Sequence, residues 1–356
     1  MCKRIDFFLG AGAPTGFHSY FRQAYPSFEQ GTVLLLKGSA GSGKSTILRA
    51  LGQALCRRGL AVEYIHCASA PDSLDGIVCP ALCLSAFDAT APHALEPEYP
   101  GAYEQVVPLY DAMDRTVLSA HRAELKALGD QYTLQTQRAL RYLTAAGCLL
   151  QDSMRTARCC TDVVKAQNFA KTLAKRYLPQ QQGPARENIR LLSAVTPDGP
   201  VFFSGTVREL ADTIVVLDDA WGASGQALFS ALRQQALERG LNFTTCYCPL
   251  DPGEKIEHLL FPSLRLAFVT SNPYHPLSFP GQRTLHAQRF TNQEALALRR
   301  NRLRFNQKAA QELLEQASAV MAGARGLHGR VEQIYAAAMD TARLDEIAEE
   351  LIRQWV

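Results

Sequence analysis

The sequence repeats itself across its two halves, and this repeat constrains the fold more than any other feature. Residues 32–71 and 213–252 align without a gap at a shift of 181 positions, and 11 of the 40 aligned positions are identical. Unrelated segments of ordinary composition would match at about one position in fifteen. The chain is therefore predicted to contain two copies of one structural unit.

The repeat continues beyond this segment and indicates where one copy ends. After one inserted residue, His93 still pairs with His275. Residues 179–184 contain two prolines and one glycine, a composition typical of a boundary between folded units. We therefore expect a first domain at residues 1–183 and a second domain at residues 184–356.

The pattern of apolar residues predicts an α/β fold for each copy. In the first half, a helix with one apolar face is predicted at residues 44–58. Apolar runs that predict buried strands lie around it, at residues 32–36, 61–66 and 81–87. Strand, helix and strand in this order indicate a parallel sheet with right-handed crossovers. Each copy then ends in a helical appendage, at residues 104–178 and 292–356.

One loop of the first half carries a motif with a defined chemistry. It fits the pattern G-x-x-x-x-G-K-[ST], in which glycines let the backbone wrap a phosphate chain and a helix N-terminus faces the anion. Lys44 is predicted to neutralise the β and γ phosphates, and Ser45 to bind Mg²⁺. The predicted nucleotide-binding residues are Gly38, Ser39, Ala40, Gly41, Ser42, Gly43, Lys44, Ser45 and Thr46.

A second Mg²⁺ anchor is predicted at the end of an apolar strand. Asp88 directly follows residues 81–87, and an Asp in this position typically holds the metal of a phosphate-binding loop. The next residue is Ala89, so the adjacent Glu of many ATPases is missing. Because of its position at the end of the strand, Asp88 is predicted to be a catalytic residue together with Lys44. The alternative is that it caps the following turn.

The second copy separates residues that serve chemistry from those that serve the scaffold. At the aligned positions Lys44 becomes Gly225, and Asp219 brings a negative charge to the place of the phosphate. The second half is therefore expected to keep the fold without the nucleotide. Asp88 becomes Thr270.

The same comparison sorts the remaining polar residues. His93 recurs as His275, which favours a structural role for both histidines. His66 and Asp75 occur only in the first half and are candidates for substrate contact or water positioning. An ordinary turn at Asp75 is the alternative. No C-x-x-C pair of cysteines is present, so zinc is not expected.

Composition and charge exclude several classes of function. The formal net charge of +3 gives no nucleic-acid signal, and no apolar run is long enough for a membrane span. Ten cysteines without a compact framework are typical of free thiols in a reducing compartment. The expected location is therefore the cytoplasm.

These motifs together resemble an uncharacterised bacterial family of tandem-repeat P-loop ATPase-like proteins. The resemblance spans the whole chain. Besides the loop at 37–46, it includes the segments at 72–76, 88–93 and 193–199. It implies nucleotide binding and no further activity. In that family the second half also tends to look P-loop-like, and this sequence departs from it there.

Three hypotheses of function follow. The first is an ATP-binding P-loop NTPase that hydrolyses ATP slowly and gates a conformational change, with Mg²⁺ as cofactor. The second is a small-molecule or nucleotide kinase, in which Arg176 or Arg186 would serve as a lid arginine. The third is a non-enzymatic, nucleotide-gated interaction module. A protein partner or a second protomer is expected to complete the site. ATP is preferred to GTP because no Asn-Lys-x-Asp motif is present.

Overall fold

The computed structural model describes residues 4–356 and shows an α/β fold in both halves. The elements of the first half in chain order are β1 Arg4–Phe8, β2 Gly10–Ala13, β3 Gly16–Ser19, β4 Thr32–Lys37, α1 Lys44–Arg57, β5 Val62–Cys67, β6 Ala70–Cys79, β7 Leu84–Asp88, β8 Glu104–Pro108, α2 Arg115–Ala120, α3 Arg122–Arg158 and α4 Val163–Tyr177.

The second half follows the same plan, with a short extra helix α5 before its second sheet strand. Its elements are β9 Arg186–Arg190, β10 Ser193–Thr196, β11 Gly199–Phe202, α5 Ser204–Leu210, β12 Thr213–Asp218, α6 Ala223–Glu238, β13 Asn242–Tyr247, β14 Ile256–Phe261, β15 Leu266–Ser271, β16 Arg283–His286, α7 Gln293–Ala297, α8 Arg300–Ala337 and α9 Thr341–Trp355.

Each half contains a six-stranded sheet, and the two sheets have one topology. The first has the order β1-β5-β6-β7-β4-β8, and the second has the order β9-β13-β14-β15-β12-β16. Strands at equivalent positions in the two halves therefore have equivalent neighbours. The α/β class and the duplicated unit predicted from the sequence are thus present in the structure.

The prediction of a purely parallel sheet is wrong, because one strand in each sheet runs the other way. β6 pairs antiparallel with β5 and β7, and β14 does the same with β13 and β15. The turn considered at Asp75 is also wrong, since Asp75 and Gly76 lie inside β6. A Cβ on Gly76 would lie 2.3 Å from the ring of Phe87, so this glycine allows close packing between neighbouring strands.

An unusual backbone conformation recurs at equivalent positions. Cys83 and Arg265 lie 182 residues apart, and they adopt φ angles of 49° and 50°. Both follow a short 3-10 turn that begins with a proline, Pro80 or Pro262. Residues with side chains seldom adopt positive φ, so its recurrence supports common ancestry of the halves.

The longest helices, α3 and α8, pack against each other in antiparallel orientation. Arg302 of α8 donates to Asp152 of α3 at 2.9 Å, and Arg330 of α8 donates to Glu124 of α3 at 3.0 Å. Between these pairs, Leu143 packs with Ala310 and Leu314 in a small buried core. The helix pair joins the two halves along most of its length.

The last helix of each half belongs to the core of the other half. Helix α4 packs against α6, and α9 packs against α1. Leu351 of α9 is buried in the cluster that contains Leu48 of α1. Leu173 of α4 is buried in the cluster that contains Leu232 of α6. The second half therefore reaches the nucleotide-binding loop predicted for the first half.

Two further observations bear on the expected environment. None of the helices between residues 4 and 356 combines the length and the apolar character that a membrane span requires. Eight cysteines, from Cys67 to Cys248, are free thiols.

Candidate functional site

The predicted phosphate-binding loop connects a buried strand to a helix, as its motif requires. It leaves β4 after Lys37 and enters α1 at Lys44. Gly41 and Gly43 have φ angles of 74° and 88°, a left-handed conformation that glycine adopts without strain. Because the first amides of a helix have no intrahelical acceptors, the N-terminus of α1 is suited to bind an anion.

The side chain of Lys44 lies inside this loop. Its Nζ donates to the carbonyl oxygens of Gly38 and Ser39 at 2.8 and 2.6 Å. It also lies 3.5 Å from Oδ2 of Asp88. Burial lowers the pKa of Lys44, and the carboxylate of Asp88 opposes this shift. The ammonium thus lies between the loop and the end of a neighbouring strand.

Asp88 lies where the sequence predicts it, at the carboxyl end of β7. Its strand neighbour on β4 is Leu36, just before the loop. Oδ2 faces Lys44, and Oδ1 accepts hydrogen bonds from the amide of Thr90, at 3.0 Å, and from its hydroxyl. Asp88 therefore caps the turn and faces the predicted site as well, so the two alternatives are compatible.

Ser45, the other predicted Mg²⁺ ligand, begins α1 beside Lys44. Its hydroxyl accepts a hydrogen bond from the amide of Leu74 at 2.9 Å. One lone pair remains for a metal. The equivalent residue Gln226 accepts from the amide of Ile256 at 3.2 Å, so this position also supports the scaffold in both halves.

Asp75 and His93 lie beside Asp88. The ligand atoms of these three side chains are within 4.8 Å of one another. Asp75 comes from β6. Its burial, together with the nearby negative charge of Asp88, raises the pKa of Asp75 to about 7. The sequence named Asp75 as a candidate, and the structure brings it to the loop.

His93 is the residue that the sequence argument missed. It is 7% exposed, and the backbone of Asp88 is the one hydrogen-bond partner of its ring among the described residues, so one ring nitrogen has no partner. Its ring stacks on Phe21 with centroids 4.5 Å apart, and burial lowers the pKa of His93. The sequence feature that could have placed His93 in the site is its position, five residues after Asp88. Its recurrence as His275 favours a structural role instead.

His66 is not part of this cluster. Its Nε2 lies 2.8 Å from Oδ1 of Asp6, and its Nδ1 lies 2.6 Å from the carbonyl oxygen of Pro71. Its ring also packs against Phe203 of the second half. With both nitrogens engaged, His66 has nothing left to offer a ligand.

Helices of the second half cover the loop of the first half. A Cβ on Gly41 would lie 2.2 Å from the carbonyl oxygen of Glu332 in α8, and one on Gly43 would lie 3.1 Å from the side chain of Leu344 in α9. The carboxylate of Glu332 acts on the charge of Lys44. His328 lies 3.6 Å from that carboxylate. The covering segment thus brings a negative charge to a loop predicted to bind phosphate.

The equivalent loop of the second half contains its own anion. Asp219 Oδ1 accepts from the amides of Trp221 and Gly222 at 3.3 and 3.0 Å, and Oδ2 accepts from the amide of Gly225 at 2.6 Å. Burial raises the pKa of Asp219. The carboxylate occupies the N-terminus of α6, where a phosphate would otherwise bind.

A lysine from another position lies over this second loop. A Cβ on Gly222 would lie 2.9 Å from Cε of Lys255. Lys255 donates to Oε1 of Glu257 at 2.9 Å. Burial alone would lower the pKa of Lys255, but the carboxylate of Glu257 raises it above its ordinary value. These groups line a cavity of about 90 Å³ together with Met154 and Trp221.

The second half also gathers three side chains that could bind a metal, but their hydrogen bonds do not fit one. Glu257, His258 and His275 place ligand atoms within 4.8 Å of one another. The amide of Thr270 donates to Nδ1 of His258 at 3.3 Å, so the proton of that neutral ring lies on Nε2.

His275 is engaged in a similar way. The Asn272 side-chain amide donates to Nε2 of His275 at 2.8 Å, because its oxygen already accepts from the backbone amides of Tyr274 and His275. The two nitrogens that face Glu257 therefore have no free lone pair. The first cluster, with one nitrogen of His93 open, differs in this respect.

The chain matches no family model, no curated protein and no solved structure at a significant level.

Proposed function

We propose that the first half binds ATP with Mg²⁺ and hydrolyses it slowly, and that this reaction gates a movement of α8 and α9. The observation that carries the proposal is the position of Lys44. Its ammonium lies inside a strand–loop–helix turn, 3.5 Å from Asp88 on the adjacent parallel strand. A cation, free helix amides and a carboxylate at one sheet edge are the parts that phosphoryl transfer needs.

The residues present fit Mg²⁺ in this role. Ser45 keeps one lone pair, and Asp88 presents Oδ2 toward the loop. Both are oxygen ligands, which Mg²⁺ prefers. When bound, the ion would neutralise charge on the β and γ phosphates. Lys44 would move from the carbonyls of Gly38 and Ser39 toward those phosphates, where its charge stabilises the developing negative charge.

Slow turnover is expected because, among the described residues, no arginine is one of the charged groups that act on Lys44, Asp75 or His93. Those groups are Asp75, Asp88, Glu332 and Lys44. An arginine finger accelerates P-loop enzymes by about 10³–10⁵-fold, so an enzyme without one is slow.

The covering helices support the gating part of the proposal. The backbone of Glu332 packs on Gly41, and Leu344 packs on Gly43. A phosphate chain that enters this loop is repelled by the half-exposed carboxylate of Glu332, which already acts on the charge of Lys44. Binding would therefore favour a conformation in which α8 and α9 have moved away from the loop.

Calorimetric titration with ATP and Mg²⁺ tests the proposal. We expect one nucleotide per chain and slow release of phosphate. Lys44→Ala should weaken binding by about 10- to 100-fold, since a hydrogen-bonded charge contributes about 1.5–3 kcal/mol. Lys255→Ala is the matched control in the other loop and should leave ATP affinity unchanged. Unchanged affinity in Lys44→Ala, or two nucleotides per chain, would contradict the assignment.

A further inference from the structure

The cluster of Asp75, Asp88 and His93 has the geometry of a site for a single cation. The three side chains come from β6, from the end of β7 and from the segment that follows β7, and their ligand atoms lie within 4.8 Å of one another. Ligands about 2.0–2.2 Å from one ion lie about 3–4 Å apart, so small side-chain movements would close the site.

The hydrogen bonding of His93 is incomplete without a ligand. The residue is 93% buried, and the one hydrogen-bond partner of its ring among the described residues is the backbone of Asp88, which leaves the other ring nitrogen without a partner. Burying a polar group without a partner is unfavourable. Phe21 stacks on the ring at 4.5 Å and limits its rotation toward solvent. The imidazole therefore has a lone pair available inside the cluster.

The charges of the cluster also favour a cation. Asp75 and Asp88 are two neighbouring carboxylates, of which Asp75 is buried. Lys44 acts on Asp75 and lies 3.5 Å from Asp88, but two of its hydrogen bonds go to loop carbonyls. A divalent ion between the carboxylates would remove their mutual repulsion and offset the cost of burying them.

We propose that Asp75, Asp88 and His93 bind a divalent first-row transition metal in the absence of nucleotide. Two carboxylates and one imidazole form a mixed oxygen and nitrogen site. The imidazole favours such a metal over Mg²⁺ and Ca²⁺, which prefer oxygen ligands alone. The site shares Asp88 with the Mg²⁺ of the proposed function, but it needs neither Ser45 nor a phosphate.

The second half provides an internal control for this inference. Glu257, His258 and His275 lie equally close together. Their nitrogens toward Glu257 are occupied by a ring proton or by the amide of Asn272. One ion per chain is therefore expected.

Titration of the full chain with MnCl₂ alone, followed by the electron paramagnetic resonance signal of free Mn²⁺, tests the proposal. We expect one bound Mn²⁺ per chain, poorly displaced by excess Mg²⁺. Asp75→Asn and His93→Asn should each weaken binding at least about tenfold, whereas His275→Asn should leave it unchanged. No bound Mn²⁺, equal binding in His93→Asn or equal competition by Mg²⁺ would overturn it.

A spectroscopic measurement on the unaltered chain covers the case in which a variant does not fold. Electron spin echo modulation of the Mn²⁺ complex should show coupling to an imidazole nitrogen, and its absence would overturn the site. Failure here is distinct from failure of the proposed function. Mn²⁺ binding is measured without nucleotide, and ATP binding is measured through Lys44→Ala.

Discussion

Two loops with one origin stabilise the N-termini of their helices in opposite ways. In the first loop a lysine, Lys44, lies among backbone carbonyls, and no side chain caps the N-terminus of α1. In the second loop a carboxylate, Asp219, accepts from three backbone amides. The backbone plan therefore does not determine ligand chemistry. One side chain decides whether the anion comes from a ligand or from the protein itself.

The exchange of terminal helices predicts the largest effects on stability. Leu351 of α9 and Leu173 of α4 are each 4% exposed, in the core of the opposite half. Replacing either by Ala should cost about 2–5 kcal/mol. Hydrogen exchange should then rise in α1 for Leu351→Ala and in α6 for Leu173→Ala. The reverse pattern would show that each helix supports its own half.

Removal of the internal anion should have the next largest effect. Asp219→Ala leaves three amides of the second loop without an acceptor and should lower the free energy of unfolding by about 2–4 kcal/mol. Sulfate should then raise the melting temperature by binding to the open helix N-terminus. The Lys44→Ala background removes most anion binding by the first loop. If sulfate does not raise the melting temperature of Asp219→Ala in the Lys44→Ala background, the two loops differ in backbone as well as in charge.

The smallest expected effect concerns the groups that lie over the two loops. Gly41 and Gly222 have φ angles of 74° and 77°, so an alanine is equally strained in both. At Gly41 the new Cβ meets the backbone of Glu332, whereas at Gly222 it meets the flexible end of Lys255. Gly41→Ala should therefore cost about 1–2 kcal/mol more in chemical denaturation. Equal costs would indicate that α8 does not press on the first loop.

The local parts of this structure were predictable from the sequence. The strand before the loop, α1 and the position of Asp88 follow from patterns within a few residues, and the duplication follows from comparing the two halves. The antiparallel strand β6 does not, because Pro71 and Gly76 are typical turn residues. Gly76 is explained only by its contact with Phe87 on the next strand.

The missed parts depend on contacts between distant segments. Asp75 reaches Asp88 because β6 lies between β5 and β7, and His93 completes the cluster from the segment that follows β7. The covering of Gly41 by Glu332 joins residues almost 300 positions apart. Such a contact cannot be predicted from the local pattern of apolar residues. The recurrence of His93 as His275 misled the interpretation, since one position has two different hydrogen-bonding environments.

The exchanged helices also bear on how such a chain could arise. A single ancestral copy would have had an unfilled groove beside its first helix and a terminal helix without a core. Two such chains could satisfy each other only as an intertwined homodimer, with each chain donating its last helix. Fusion of two genes would convert that homodimer into one polypeptide. One copy could then lose its phosphate chemistry, because its helices remained indispensable to the folding of its twin.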